Sequence, residues 1–244
     1  MEICLEGGPD TARLDRGLAA VVAGGADRVE LCRDLAVEGL TPDAAHVRRA
    51  RAVLGPGMGL TALVRVRAGD FGHDAGEGAA LLDELGACLD AGADEVRLGA
   101  LRDGAVDVAL LARAVDAARS MGARVGFHRA FDALTDPFAG LEQLIEQGVD
   151  RILCSGTPWE AVADAAAGAA AGVGRLAALS AAAAGRVELV LAGGITPENA
   201  PGLLARVVTP GARLALHAAS GVCRDGEVHA GRVARLVAAA RSPG

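Results

Sequence analysis

Two cysteines follow short apolar runs in a way that suits a soft metal ion. Cys4 ends the run Glu2-Ile3-Cys4, and Cys32 ends the run Val29-Glu30-Leu31-Cys32. Thiolates are preferred ligands of Cu(I). If the two runs are neighbouring strands, with axes about 4.8 Å apart, one ion can be shared between the sulfurs. The pair therefore predicts a Cu(I) site at Cys4 and Cys32, and the alternative is that each thiol is a small buried apolar side chain.

A second set of polar residues suits a small organic anion better than a bare cation. Arginine binds carboxylate or phosphate through two parallel hydrogen bonds, and histidine can act as an acid or a base near neutral pH. His128 and Asp132 are therefore the catalytic candidates. An enzyme or sensor for a phosphate- or carboxylate-bearing metabolite is the alternative to copper binding. The set comprises Arg65, Arg67, Asp70, His128, Arg129 and Asp132.

A recurring pattern indicates how the chain positions these side chains. Copies begin at Gly25, Gly92 and Gly148, and each reads glycine, a small residue, aspartate, a charged residue and then a β-branched residue. The glycine suits the left-handed position that ends a helix, and the aspartate suits a turn before a strand. Successive copies are separated by about twice the roughly 30 residues of one strand-helix unit. The copies therefore mark alternate units.

Filling the gaps between the copies gives eight strands that alternate with eight helices. Besides the three repeats, strands are predicted at 2–5, 60–67, 124–128, 187–192 and 213–217. Helices are predicted at 10–24, 42–54, 77–91, 107–119, 136–147, 158–184, 197–207 and 228–241. This order predicts a single α/β domain over residues 1–244, a TIM-type (β/α)8 barrel. A doubly wound open sheet is the competitor, but no Gly-x-Gly-x-x-Gly turn follows the first strand.

Strand alternation predicts a polar barrel interior. With Val29 and Leu31 facing the helices, Glu30 and Cys32 point inward. The same rule turns inward Glu2, Cys4, Arg65, Arg67, Arg97, His128 and His217. Because an unpaired buried charge costs several kcal/mol, we expect the Glu and Arg side chains to form a mutually satisfied network, which either binds a ligand or only fixes the barrel.

Several of these residues lie where barrel enzymes place their active sites, at the carboxyl ends of the strands. The turns predicted after strands 7 and 8 contain Gly193, Gly194 and Ser220, and turns at those places often hold a phosphate on backbone N–H groups. The predicted ligand-binding set is Glu2, Glu30, Arg65, Arg67, Asp70, His128, Arg129, Gly193, Gly194, His217 and Ser220.

Six segments, spread in order through most of the chain, share the pattern of one known family. They are Glu2-Ile3-Cys4, 24–32, Gly39-Leu40-Thr41-Pro42, 65–71, Phe127-His128-Arg129-Ala130-Phe131-Asp132 and 151–156. Together they resemble the CutC family of copper-homeostasis proteins. The resemblance implies a (β/α)8 barrel, a cytoplasmic location, a homo-oligomer (dimer or tetramer) and copper handling, with no reaction attached.

The chain departs from that family pattern at a few positions. Cys154 stands where a small residue such as Thr is usual, and Ala192 replaces the first glycine of a Gly-Gly-Gly turn. Ala215 stands two residues before His217, where the family tends to have an acid, so this chain lacks that acid. The Ala-rich stretch 161–184 has no clear match, and its role is left open.

Composition and charge exclude other classes of function. All 24 basic residues are Arg, so lysine Schiff bases and lysine-dependent phosphate loops are ruled out. A net charge of −7 and 2% aromatic residues argue against nucleic-acid binding. The five scattered cysteines are predicted to be thiols, and neither a leader nor a membrane span is predicted. We therefore expect a cytoplasmic protein whose partner is a small molecule or a metal.

Overall fold

Eight parallel strands close into a barrel in the computed structural model, which describes residues 1–164 and 167–241. Each strand pairs with the strands before and after it, and the last pairs with the first. The predicted (β/α)8 barrel is therefore confirmed, and the open sheet is excluded. The strands are β1 (Glu2–Glu6), β2 (Arg28–Cys32), β3 (Gly59–Val64), β4 (Glu95–Leu98), β5 (Arg124–Phe127), β6 (Arg151–Cys154), β7 (Glu188–Leu191) and β8 (Arg213–Ala218).

Helices surround the barrel and cover the apolar outer face of the strands. They are α1 (Thr11–Gly24), α2 (Ala44–Leu54), α3 (Ala75–Asp90), α4 (Val108–Ser120), α5 (Pro137–Glu146), α6 (Val173–Ala183), α7 (Ala200–Val207) and α8 (Ala230–Arg241). Val29, Leu31, Val96 and Leu98 are fully buried in this outer core, as the alternation predicts. Within the described ranges, no helix is both long and apolar enough to cross a membrane.

The repeated pattern does more than end a helix and start a strand. Gly25, Gly92 and Gly148 all have positive φ, as predicted for the left-handed position. The Oδ2 atom of Asp94 accepts a hydrogen bond from the Leu60 N–H at 2.8 Å, and that of Asp150 accepts one from the Val125 N–H at 2.8 Å. Each aspartate thus holds the start of the preceding strand, which fixes the register between neighbouring strands.

Two predicted elements are shorter in the structure. The third strand, predicted to reach residue 67, ends at Val64. The helix predicted over 158–184 is a short 3-10 turn (Trp159–Ala161) followed by α6, and residues 165–166 of that stretch lie outside the described residues. A Cβ at Gly172, the residue before α6, would meet the Ser155 carbonyl oxygen at 2.2 Å. This close approach brings the segment against the end of β6, so α6 begins only at Val173.

Candidate functional site

A network of buried ion pairs fills the barrel around Arg97, which is fully buried. The guanidinium of Arg97 donates to Glu2 at 2.5 and 2.9 Å, to Glu30 at 2.8 Å and to Glu95 at 3.0 Å. Burial by itself raises the pKa of Glu2, but the charge of Arg97 outweighs it and holds that pKa well below its usual range. Despite its burial, the pKa of Glu30 is also lowered by the charge of Arg97, so Glu2 and Glu30 are ionised. We call Arg97, its three carboxylate partners and the extension described next the ion network.

The ion network extends to the starts of three strands through residues that the sequence analysis did not single out. Arg28 donates to Glu2 at 2.7 Å and to Glu188 at 2.5 Å. Arg151 forms ion pairs with Glu95 and Glu188. The same alternation could have found these side chains, because Arg28 and Glu95 lie two residues before Glu30 and Arg97 on their strands.

A glycine on β5 makes room for the ion network. A Cβ added at Gly126 would lie 2.8 Å from Oε1 of Glu95 and 3.0 Å from Nε of Arg97. The expectation that Arg65 and Arg67 join this network is wrong, because both residues follow the end of β3 and lie towards the carboxyl end of the barrel.

The two predicted thiols lie side by side above the ion network. The Sγ atoms of Cys4 and Cys32 are 3.7 Å apart, and both side chains are buried. One ligand atom from each of Cys4, Glu30 and His217 lies within 4.8 Å of the others. The hydrogen bond with Cys32, together with burial, raises the pKa of Cys4 well above its usual value. We call Cys4 and Cys32 the thiol pair.

His217 links the thiol pair to the ion network. Its Nε2 atom is 2.7 Å from Oε2 of Glu30. Burial by itself lowers the pKa of His217, but the charge of Glu30 and hydrogen bonds to Cys4 and Glu30 raise it to about 10. At neutral pH the ring is therefore a cation that donates to Glu30, next to the sulfur of Cys4.

A cavity of about 170 Å³ opens above the thiol pair at the carboxyl ends of the strands. Ten of the predicted site residues line it. They are Cys4, Glu30, Cys32, Arg65, His128, Arg129, Gly193, Gly194, His217 and Ser220. Leu63, Leu153, Ala192 and Ile195 form an apolar part of the wall. The cavity combines soft ligands, a guanidinium and an apolar surface.

Arg65 enters this cavity with bonds to backbone carbonyls and no acidic partner. Its Nη1 atom donates to the Val37 and Gly39 oxygens at 2.8 and 3.2 Å, and Nη2 donates to the Gly69 oxygen at 2.9 Å. The guanidinium also lies over the rings of Phe71 and Trp159, 5.2 and 5.8 Å from their centroids. Across the described part of the chain, Arg65 has no carboxylate within ion-pairing distance. Burial lowers the pKa of Arg65, and the charge of Glu38 acts against this from farther away.

His128 is held in one tautomer. Its Nδ1 atom accepts a hydrogen bond from the Ala130 N–H at 3.0 Å, so the ring proton is on Nε2. Burial and the charges of Arg65 and Arg97 lower the pKa of His128 to about 3. At neutral pH the ring is uncharged, and this geometry suits hydrogen-bond donation by Nε2 better than proton transfer.

Asp132, the other catalytic candidate, supports the site from outside the cavity. It accepts hydrogen bonds from Arg129 Nε at 2.9 Å, from the Ser155 N–H at 3.0 Å and from Ser155 Oγ at 2.9 Å. Burial raises the pKa of this carboxyl, against the opposing charge of Arg129. Asp132 thus fixes Arg129, whose guanidinium lies 5.4 Å from the centroid of Trp159.

Three other predicted ligand residues are not brought into the cavity. Glu2 lies below it in the ion network. Arg67 was expected to point into the barrel, and this is wrong, because strand alternation no longer applies beyond Val64. Arg67 instead pairs with Asp70 at 2.7 Å and with Glu77 at 2.5 Å on the surface.

Aromatic side chains of the cavity were missed by the sequence analysis. Phe71 and Trp159 have ring centroids 4.9 Å apart and contact Arg65 or Arg129. Phe71 ends one of the segments that resemble the known family, and Trp159 is the only tryptophan in the chain. Both features could have indicated that these residues belong to the site. The long helix predicted over 158–184, however, did not determine which way the Trp159 side chain points.

The fold and the cavity define a (β/α)8 barrel with an ion network in its interior and a cavity at the carboxyl ends of its strands. Comparison with known proteins gives the family. The CutC family model matches residues 1–221, and the chain belongs to the CutC family. The CutC family protein of Sinorhizobium medicae is 39% identical over 208 residues, which cover 85% of this chain and 77% of the relative. That of Agrobacterium fabrum is 38% identical over 205 residues, 84% of this chain and 74% of the relative.

Solved structures agree with this assignment. A crystal structure from Streptococcus agalactiae, assigned to the copper homeostasis protein CutC, has a TM-score of 0.73 and 26% identity. The match covers 88% of this chain and 96% of that one. The 3-keto-L-gulonate-6-phosphate decarboxylase from Vibrio cholerae, with a TM-score of 0.66 and 16% identity over 98% of this chain and 95% of that one, shares the fold.

Proposed function

We propose that this protein is a copper-homeostasis protein that binds Cu(I) at Cys4 and Cys32. The observation that carries the proposal is the 3.7 Å separation of the two sulfurs at the base of the cavity. With metal–sulfur bonds of about 2.3 Å, two thiolates on one ion lie about 3.8 Å apart at a tetrahedral angle and about 4.6 Å apart in a linear arrangement, so the sulfurs need to move by at most about 1 Å. The pair is therefore spaced for a shared soft ion with little rearrangement.

The surroundings of the thiol pair suit the charge of such a complex. Two thiolates and one Cu(I) carry a net charge of −1, and the imidazolium of His217 lies beside Cys4. A buried negative charge needs a nearby positive one. His217 therefore stabilises the bound state as a cation, with Glu30 as its hydrogen-bond acceptor.

Copper binding in this site is coupled to proton release. The raised pKa of Cys4 keeps that thiol protonated at neutral pH. Thiolate ligands must lose their protons before they bind a metal, so the affinity for Cu(I) rises with pH. Free thiols of this kind belong in a reducing compartment, which supports a cytoplasmic location.

An anaerobic Cu(I) titration against a competing chelator tests the site. We expect Cys4→Ser, Cys32→Ser and the double variant to lose competition with the chelator, because serine supplies no thiolate. Cys88→Ala, which removes a buried thiol of helix α3, is the matched control and should bind as the parent does. Parent-like Cu(I) affinity in the double variant would rule out this site.

The homo-oligomer and its location are separate parts of the proposal. They are supported by the resemblance described above, which implies a cytoplasmic dimer or tetramer. Light scattering coupled to size-exclusion chromatography measures the oligomer directly, and a monomer at micromolar concentration would contradict it.

A further inference from the structure

The part of the cavity around Arg65 and His128 has hydrogen-bonding capacity that a copper ion on the thiol pair does not use. The two side chains are 5% and 4% exposed. Nε of Arg65 and Nε2 of His128 are both buried, and neither has a hydrogen-bond partner among the described residues. Buried donors are almost always paired in folded proteins. Two donors without acceptors on one cavity wall therefore indicate an oxygen-bearing ligand.

Both free atoms are donors, and this limits what they can bind. Arginine has no acceptor atom. The Ala130 N–H occupies Nδ1 of His128, which leaves Nε2 as an N–H donor. The two groups lie against the same aromatic ring, since the Phe71 centroid is 5.2 Å from the Arg65 guanidinium carbon and 5.1 Å from the His128 ring centroid. The ligand atoms facing them must be acceptors.

The charge of the cavity favours a carboxylate over a phosphate. Arg65 is the cavity cation whose bonds go to neutral carbonyls, whereas Arg129 is paired with Asp132. Because, among the described residues, the charge of Arg65 is opposed only by Glu38, which is beyond ion-pairing distance, a monoanion suits this part of the cavity better than a dianion does. Glu30 and Glu38 also line the cavity, and they disfavour a dianion such as phosphate.

The size and the walls of the cavity favour a short carbon skeleton. Its volume of about 170 Å³ is close to the roughly 150 Å³ of a protein cavity that binds benzene, a ligand of six non-hydrogen atoms. Leu63, Leu153 and Ile195 provide an apolar surface. We propose that the cavity binds a small carboxylate, whose oxygens accept hydrogen bonds from Arg65 Nε and His128 Nε2 and whose carbon chain packs on this apolar wall.

Calorimetric titration of the copper-free protein tests this second site, with pyruvate, isobutyrate and inorganic phosphate as probes. We expect the two carboxylates to bind and phosphate to bind more weakly. His128→Asn keeps an acceptor near the position of Nδ1 and removes the Nε2 donor, so it should weaken carboxylate binding at least about tenfold. Arg65→Gln should weaken binding further.

Controls separate the carboxylate site from folding and from copper binding. Arg67→Gln removes a nearby arginine that does not line the cavity and should leave the affinity unchanged. The Cys4→Ser/Cys32→Ser double variant should still bind carboxylate, so failure of the copper site does not imply failure here. If circular dichroism shows that Arg65→Gln does not fold, the carboxylate affinity of His128→Asn alone tests the proposal. No carboxylate binding, tighter binding of phosphate, or parent-like binding in His128→Asn would overturn the proposal.

Discussion

The ion network and the cavity wall around Arg65 each contain a buried guanidinium, but the two groups have different kinds of partner. Arg97 is surrounded by Glu2, Glu30 and Glu95, and every one of these carboxylates is within 3.0 Å. Arg65 is almost as buried, yet its bonds go to backbone carbonyls and its faces meet aromatic rings. Each of the two guanidinium groups has a buried Nε without a hydrogen-bond partner among the described residues. The difference lies in the charge, because Arg97 has three carboxylates in contact and Arg65 has none within ion-pairing distance in the described part of the chain.

In our proposals, the ion network has a structural role, and the cavity wall around Arg65 has a binding role in the same barrel. A buried ion network fixes the relative positions of the strands that contribute to it, and removing one partner leaves the others unpaired in a medium of low dielectric constant. A guanidinium without a counter-ion can instead gain energy from an anion that arrives later. Under our proposals, the charges at the centre of the lumen hold the strands together, and the arginine at its mouth binds the carboxylate.

The largest expected effect comes from breaking the ion network. Arg97→Met leaves three buried carboxylates without their central cation, and we expect a loss of about 3–5 kcal/mol in the free energy of unfolding. Arg65→Met leaves no carboxylate unpaired and should cost about 1–2 kcal/mol through lost hydrogen bonds. Urea denaturation followed by circular dichroism measures both. Equal losses in the two variants would show that the two arginines have the same structural role.

Two glycines provide a matched test of the same contrast. Gly126→Ala places a methyl group 2.8 Å from Glu95 in the ion network, and Gly99→Ala places one 2.2 Å from His128 in the cavity. Each overpacked site should lose about 1–3 kcal/mol of stability. We expect only Gly99→Ala to abolish pyruvate binding, because it displaces the His128 ring. Loss of pyruvate binding in Gly126→Ala would mean that the two regions are coupled.

The two histidines should contribute to the pH dependence of stability in opposite directions. His128, with a folded pKa of about 3, must take up a proton on unfolding below about pH 6.5, so its contribution to stability is lost as pH falls from 6.5 towards 3. His217, with a folded pKa of about 10, contributes fully below about pH 6.5, and that contribution is lost as pH rises through 10. Each slope is at most about 1.4 kcal/mol per pH unit.

Nuclear magnetic resonance titration of the imidazole signals measures these pKa values directly. In unfolding experiments, His128→Asn should flatten the acid side of the stability profile and His217→Asn the alkaline side. A His128 ring that titrates near pH 6.5 would contradict the lowered pKa and would restore its candidacy as an acid or a base.

The smallest effect is expected at Arg67. This side chain is 38% exposed, makes ion pairs with Asp70 and Glu77, and donates to the Gly72 carbonyl oxygen at 2.7 Å. Ion pairs at partly exposed positions contribute little to stability. Arg67→Gln should therefore leave both the urea midpoint and pyruvate affinity close to those of the parent. A clear loss of pyruvate binding in this variant would show that the guanidinium reaches the cavity when a ligand is bound.

Much of the fold could be predicted from the sequence because the determining signals are local. The three repeats carry the helix-ending glycine and the strand-starting residues in one heptapeptide, and the structure places them at the starts of β2, β4 and β6. Alternation placed Glu30, Cys32 and Arg97 inside the barrel, since side chains of a strand alternate between its two faces.

Which residues line the cavity depends on where strands and helices end, and local sequence patterns predict these ends poorly. Arg65 and Arg67 look equivalent in the sequence, but β3 ends at Val64, and only Arg65 lines the cavity. Trp159 reaches the same cavity because the chain after β6 makes a 3-10 turn where a helix was predicted. These outcomes depend on packing between segments far apart in the chain.

The sequence by itself determined the barrel, the inward thiols and the absence of lysine chemistry, because periodicity and residue type are properties of the chain alone. Only the tertiary structure decided which charges neutralise one another. Pairing requires distances between different strands. It distinguishes Arg97, which forms ion pairs with three carboxylates, from Arg65, which forms none among the described residues.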